Sequence, residues 1–432
     1  MRKLLRIHLI IPPGLFAGLC MAMLNPFASP AFAQVQEQTE VRKDKQATMS
    51  EVVYKRLSVI HELMGEGKYA EALGRLSTLE QQKLNAYEKA LMYQTYGFVY
   101  TRQGDYPRAI PYFESSLGLD SLPNVAQQGM LYSLAGLYTT QEEFQKSIDI
   151  LTTWFKYEKE PNADAHILMA SNYAELRRFS EALPYVRQAI STTEKPEESW
   201  YQLELAIYFE EKQYQSATGV LKKLVAMRPE KVNYWDTLSG AYQELNQDHN
   251  ALATMMLAYQ KGLVTTERKL LNIVRMNMFL DLPYQAGEIL EREMAEGRIR
   301  ADRQNLDLLL GAWSTAREFD KAIDVINRVA RMTGSGEYYI EMAKLYAEKN
   351  EWQAVVDAAG RAIGKGNLKK PGGAYLLMGM AYAELGDFQK ALDALEQARG
   401  FDETSRRQAE GWIDYVNDRK QIAVAPSGRV IS

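Results

Sequence analysis

Three histidines beyond the first 33 residues, His61, His166 and His249, are the side chains best suited to proton transfer near neutral pH. His61-Glu62-Leu63-Met64-Gly65 begins like the HExxH helix of zinc proteases. The second histidine is missing, so one helix face cannot offer two ligands. His166 and His249 are far apart and have no Cys, Asp or Glu at ligand spacing, so each reads as an ordinary helix residue. No GxxxxGKS/T loop and no GxSxG elbow occurs, and Gly334-Ser335-Gly336 reads as a turn between helices. Acidic pairs such as Glu142-Glu143, Glu197-Glu198 and Glu210-Glu211 suit solvated helix faces and helix termini. No catalytic, metal or cofactor-binding residue is expected, and the chain reads as a non-enzyme.

The elements that would carry any site follow from composition and periodicity. The chain has 432 residues, 46% hydrophobic and 25% charged, with a formal net charge of −4. That balance is ordinary for a soluble protein and offers nucleic acid no basic excess.

The first 33 residues stand apart. Arg2, Lys3 and Arg6 precede an apolar stretch from about Leu9 to Leu24, and Ala31-Phe32-Ala33 forms an A-x-A signal. This predicts a secretory leader cleaved after Ala33. The alternatives are an uncleaved anchor, which Pro12 and Pro13 oppose, and an acylated Cys20, which the preceding Leu19 opposes. Cleavage would leave 48 basic and 55 acidic residues, a net charge of −7, and no cysteine. Such a chain suits an oxidising compartment, because it has no thiol to mispair. The expected location is the periplasm. Residues 34–50 are polar and read as a flexible lead-in.

From Glu51 to about Lys420 a unit recurs every 33–38 residues. A small residue marks each copy: Ala72, Ala109, Ser147, Ala182, Ala217, Ala251, Ala286, Ala322, Val355 and Ala391. A small side chain lets two helices cross closely there. Three residues earlier most copies carry an aromatic, as in Tyr69, Tyr106, Phe144, Phe179, Tyr214, Phe319, Trp352 and Phe388. First helices show apolar residues at helical spacing, as in Trp235-x-x-Leu238-Ser239-x-x-Tyr242. Tyr96, Tyr100, Tyr138, Tyr173, Tyr208, Tyr242, Tyr346 and Tyr382 are read as core by the same spacing. The copy around Ala286 is weak, with Pro283 before it and Asn277 in the aromatic position, which leaves its register uncertain by one residue. Arg56 is an irregularity in the first copy. Gly364–Gly373, with Lys365, Lys369, Lys370 and Pro371, reads as a solvated turn, with a hinge or basic contact loop as the alternative. Thr404–Lys420 reads as a capping helix with Ala409, Trp412, Ile413 and Val416 on one side, followed by a disordered tail at 421–432.

Tyr375-x-x-Met378-Gly379-x-x-Tyr382-x-x-x-Gly386-Asp387-Phe388-x-x-Ala391-x-x-x-Leu395-x-x-Ala398 is one copy; Tyr93-x-x-Tyr96-Gly97-x-x-Tyr100-x-x-x-Gly104-Asp105-Tyr106-x-x-Ala109-x-x-x-Phe113-x-x-Ser116 is another. Both resemble the tetratricopeptide (TPR) repeat, a hairpin of 34 residues. The resemblance implies an all-α superhelical solenoid of about ten helix–turn–helix hairpins plus a C-terminal capping helix. In this family the first helices line a concave groove that binds proteins. The positions that would face it include Gln94, Phe98, Arg102, Tyr132, Gln202, Phe209, Asp236, Gln243 and Lys344. Such a mixed surface suits an extended peptide or a helix laid in a groove. Trp352 or Met380 would serve self-association.

A narrower resemblance lies in Arg42-Lys43…Met49-Ser50, Asn305-Leu306-x-Leu308-Leu309-x-x-Ala312-Trp313, Lys365-Gly366-x-Leu368-Lys369 and Trp412-Ile413-x-Tyr415. These stretches are similar to exported bacterial TPR proteins that accompany TonB/ExbB/ExbD systems. That similarity implies an accessory of energised outer-membrane transport, with TonB/ExbB/ExbD-like partners. The alternatives are a scaffold for envelope or polysaccharide assembly, a glycan-acting enzyme fusion and a peptidoglycan- or peptide-binding protein.

Overall fold

The computed structural model describes residues 42–45 and 48–424, and the predicted leader lies outside them. Among the described residues there are 21 α-helices and no strand. The chain divides into two units, one ending at Arg178 and the other starting at Phe179. The first unit holds α1 (Glu51–Gly65), α2 (Tyr69–Glu80), α3 (Ala86–Arg102), α4 (Tyr106–Gly118), α5 (Asn124–Thr140), α6 (Phe144–Tyr157) and α7 (Ala163–Glu175). The second opens with α8 (Phe179–Thr192), α9 (Glu198–Glu210), α10 (Tyr214–Met227), α11 (Val232–Glu244), α12 (Asp248–Gln260), α13 (Glu267–Phe279) and α14 (Pro283–Ala295). It continues with α15 (Arg303–Thr315), α16 (Phe319–Thr333), α17 (Glu337–Glu348), α18 (Trp352–Lys365), α19 (Pro371–Glu384), α20 (Phe388–Arg399) and α21 (Glu403–Val424). This is an all-α repeat solenoid.

The repeat register is visible in the core. The ten small residues that mark the copies are at most 1% exposed. Each sits one turn into an even-numbered helix; eight of those helices start on the expected aromatic, and the other two start on Asp248 and Pro283 at the same position. Ser147 is the one polar member. Its hydroxyl donates to the Ala135 carbonyl at 2.9 Å and accepts from the Asn172 amide at 2.8 Å, so its burial leaves no group unsatisfied.

The turns repeat just as regularly. Gly67, Gly104, Glu142, Arg177, Lys212, Asn246, Asp281, Arg317, Asn350 and Gly386 all have left-handed φ between 55° and 81°. Each precedes its small residue by five positions. The next amide donates to the carbonyl five residues before it, as in Lys68 to Leu63 at 2.8 Å and Asp387 to Tyr382 at 2.9 Å. This six-to-one bond ends the first helix and satisfies one of its terminal carbonyls.

The weak copy obeys the same rule. The Leu282 amide donates to the Asn277 carbonyl at 2.9 Å, Asp281 takes the left-handed turn, and Pro283 opens α14 where no N–H is needed. Buried Asn277 replaces the aromatic and bonds the Ile273 carbonyl at 2.9 Å. The copy is degenerate in sequence and regular in backbone. Arg56 is exposed, and Val53, Leu57 and Ile60 supply the buried face of α1 instead.

Two boundaries differ from expectation. The described part of the lead-in is held by specific bonds. Arg42 reaches Asp120 and the Leu122 carbonyl, with nitrogen–oxygen distances of 2.6–3.1 Å, and Asn124 returns a bond to the Arg42 carbonyl at 2.9 Å. Ser50 caps α1, and its amide and hydroxyl both donate to buried Glu88 at 2.9 and 2.8 Å. Composition shows polarity here but not these partners. At the other end, α21 runs to Val424, so residues 421–424 are helical rather than tail. No helix breaker occurs before Pro426. Residues 425–432 lie outside the described residues.

Candidate functional site: a cleft on three first helices

A cleft of about 900 Å³ lies within the second unit, against α17, α19 and α21. That volume matches a pocket for a few side chains rather than for a whole domain. Its walls come from equivalent positions of successive repeats. Lys344, Met380 and Tyr415 are 36 and 35 residues apart, as are Ile340, Leu376 and Gly411. The capping helix α21 therefore presents the face that a first helix would present.

Small residues bring these helices together. Gly372 is buried at the start of α19, and a Cβ there would overlap the Ser405 hydroxyl of α21. Ser405 is tied to Asp402, its amide donating at 3.0 Å and its hydroxyl at 2.7 Å. Those two bonds hold the Asp402 carboxyl below the usual carboxylate range. Further along, Trp412 and Tyr415 meet edge to face with centroids 5.2 Å apart. Arg419 donates to the Tyr415 hydroxyl at 3.2 Å and to Glu384 at 3.3 Å, fixing this wall on α19.

The floor is apolar, from Ile340, Leu376, Leu377, Met380 and Trp412. The rim is charged. Lys344 pairs with Glu341 at 2.8 Å. Glu337 accepts the backbone amide of Lys369. Lys369, Lys370 and Arg407 are exposed and, among the described residues, form no ion pair. Counting Lys344, Lys369, Lys370 and Arg407 against Glu337 and Glu341, the lining carries +2 on a chain of −4.

Of the nine expected groove residues, the structure places only Lys344 in this cleft. Phe98 packs on Phe113 with centroids 5.2 Å apart, and Tyr132 packs on Trp154 at 5.5 Å. Burial and the charge of Asp164 push the Tyr132 hydroxyl up to about 12. Phe209 meets Tyr214 edge to face at 5.9 Å. Gln202 donates to the Tyr234 hydroxyl at 2.6 Å, and Asp236 pairs with Lys269 at 2.5 Å. Gln94 is half-buried; Arg102 and Gln243 are exposed. Met380, named above for self-association, also lines the cleft. Lys370 was legible only as the less favoured contact-loop reading, and Lys369 through that reading and the narrower resemblance. Arg407 was missed and Tyr415 entered only through the narrower resemblance, although extending the 35–36-residue register past Ala398 reaches both on α21.

The histidines do not converge on this site. Burial lowers the pKa of His61 and of His166. The His61 Nε2 lies 3.4 Å from the Thr95 hydroxyl, and His166 packs on Phe155 with centroids 5.0 Å apart. No group of three His, Cys, Asp or Glu side chains that could hold a metal occurs among the described residues.

Family profiles for the tetratricopeptide repeat match residues 98–124 and 372–403, the α3–α4 and α19–α20 pairs. The chain carries tetratricopeptide repeats at these two places. Repeats of this kind characteristically build non-catalytic protein-binding scaffolds. No curated protein matches the chain. Similar solved structures include a TPR protein from Parabacteroides merdae, 14% identical, covering 60% of this chain and 98% of that one with a TM-score of 0.36. MamA from Desulfovibrio magneticus is 16% identical, over 40% of this chain and 94% of that one, with a TM-score of 0.33. The TPR2AB domain of yeast Sti1, solved with pHSP90, is 16% identical over 59% and 98%, with a TM-score of 0.26.

Proposed function

We propose that the protein is an exported, periplasmic protein-binding scaffold, and that it serves as an accessory of a TonB-type energised transport system. The observation that carries this reading is where the narrower sequence resemblance falls. Two of its four stretches contribute Lys369, Trp412 and Tyr415, and all three line the cleft of α17, α19 and α21. The leader ending at Ala33 supports export. The mechanism is mass action: a rigid face holds a segment of one partner and raises its effective concentration near another.

The test is fractionation of the producing cells followed by affinity purification of the tagged protein after mild crosslinking. The reading expects a periplasmic protein beginning at Gln34, with a TonB-, ExbB- or ExbD-like component recovered beside it. Recovery of envelope or polysaccharide assembly factors without any transport component would replace it with an assembly-scaffold role.

A further inference from the structure

The scaffold reading leaves the chemistry of the partner open, and the cleft narrows it. Three cations on its rim, Lys369, Lys370 and Arg407, are exposed and form no ion pair among the described residues, although Lys370 is close enough to Asp402 to help lower its carboxyl pKa. The two acidic groups nearby are already engaged, Glu341 by Lys344 and Glu337 by a backbone amide. Beneath this rim Ile340, Leu377, Met380 and Trp412 form an apolar floor. An unpaired cationic rim over an apolar floor is complementary to carboxylates flanking a large apolar side chain.

We infer that the cleft binds a short acidic peptide segment of a partner protein, with one aromatic or branched apolar residue seated over Met380 and Trp412. This rests on the scaffold reading and adds the partner's chemistry to it. The volume of about 900 Å³ holds a few residues of such a segment. The positive lining is confined to one cleft of about 900 Å³, which suits a short acidic segment better than an extended anionic membrane or nucleic acid surface.

The experiment is selection of random heptapeptides displayed on phage against the immobilised full chain. It is repeated with a Lys369→Glu/Lys370→Glu/Arg407→Glu variant and with Lys222→Glu as a control on α10. Synthetic peptides of the selected sequences are then titrated by fluorescence anisotropy. The inference expects sequences rich in Asp and Glu around a Phe, Trp, Leu or Ile. It expects the triple variant to bind them at least roughly tenfold more weakly, with the control unchanged. Met380→Ala should weaken the same peptides without altering the preference for acidic residues. Selection of neutral or basic sequences, or acidic ones bound equally by the triple variant, overturns the inference. So does tight binding to phosphatidylglycerol vesicles that the triple variant abolishes, with no peptide selected. Peptides that bind elsewhere on the chain would overturn this inference and leave the scaffold reading standing.

Discussion

Gly97 and Phe113 fit together with no space for a methyl group. A Cβ built on Gly97 would lie 2.7–2.9 Å from three atoms of the Phe113 ring. The same relation recurs near the other end of the array, where a Cβ on Gly379 would lie 2.6 Å from Cγ of Leu395. In both hairpins the glycine of the first helix makes room for the large side chain of the second. Gly97→Ala should therefore destabilise α3–α4 by about 1–3 kcal/mol through overpacking. Gly136, in α5, has nothing within 4 Å of its would-be Cβ, and Gly136→Ala should stabilise by about 0.5–1 kcal/mol. Amide hydrogen exchange in each hairpin reads both effects, since a repeat array opens in parts. Equal protection in Gly97→Ala and the unsubstituted protein would refute the packing argument.

The left-handed turns make an opposite demand. Lys212 holds φ at +56°, a conformation that costs a residue with a Cβ about 1–2 kcal/mol. Glycine removes that strain but loses more backbone entropy on folding. Lys212→Gly should stabilise α9–α10 by up to about 1 kcal/mol. Gly386→Ala, at φ +81°, should do the reverse. The urea midpoint of helix loss measures both, and a destabilised Lys212→Gly would show that contacts of the lysine side chain outweigh the turn.

Glu198 sets a pH dependence. Burial alone would raise its carboxyl, but bonds from Lys231 at 2.6 Å, from Tyr234 and from Arg228 at 3.1 Å outweigh it and bring the pKa down to about 2. A carboxylate with a depressed folded-state pKa adds stability above its ordinary value of 4.5 and loses it as pH falls towards 2. The full shift would correspond to roughly 3 kcal/mol, and screening by solvent around the half-exposed Lys231 and Arg228 brings the stabilisation below that. Glu198→Gln should be less stable than the unsubstituted protein at pH 7, and the two should converge near pH 2. Parallel stability curves across that range would mean the Lys231–Tyr234–Arg228 cluster contributes nothing.

Much of this fold is written locally. Ala72 through Ala391 mark the helix crossings, and Tyr69 or Phe388 marks a helix start, because those features depend only on contacts within one hairpin. The turn residue five positions before each small residue was harder to see. Gly67, Gly104 and Gly386 advertise a left-handed conformation, and Asn246, Asp281 and Asn350 do so more weakly, whereas Glu142, Lys212 and Arg317 adopt it because the six-to-one bond imposes it. The site was less legible still. Phe98 and Tyr132 occupy expected groove positions, yet their rings are drawn into contact with Phe113 and Trp154. Arg407 joins the cleft only because α21 continues the first-helix register, and Gly372 permits the close approach. That arrangement involves three helices at once and has no local signature.

The central claim is that the face of α17, α19 and α21 holds a partner protein. Photo-crosslinking in living cells tests it most directly, with the probe placed in turn at Lys344, Met380 and Arg407, at Gln94 and Asp236 on other first helices, and at Lys222 on a second helix. The account predicts a discrete adduct from the three cleft positions, containing a TonB-, ExbB- or ExbD-like protein, and none from Lys222. Adducts that form as readily from Lys222 as from Met380, or none from any cleft position, would contradict it.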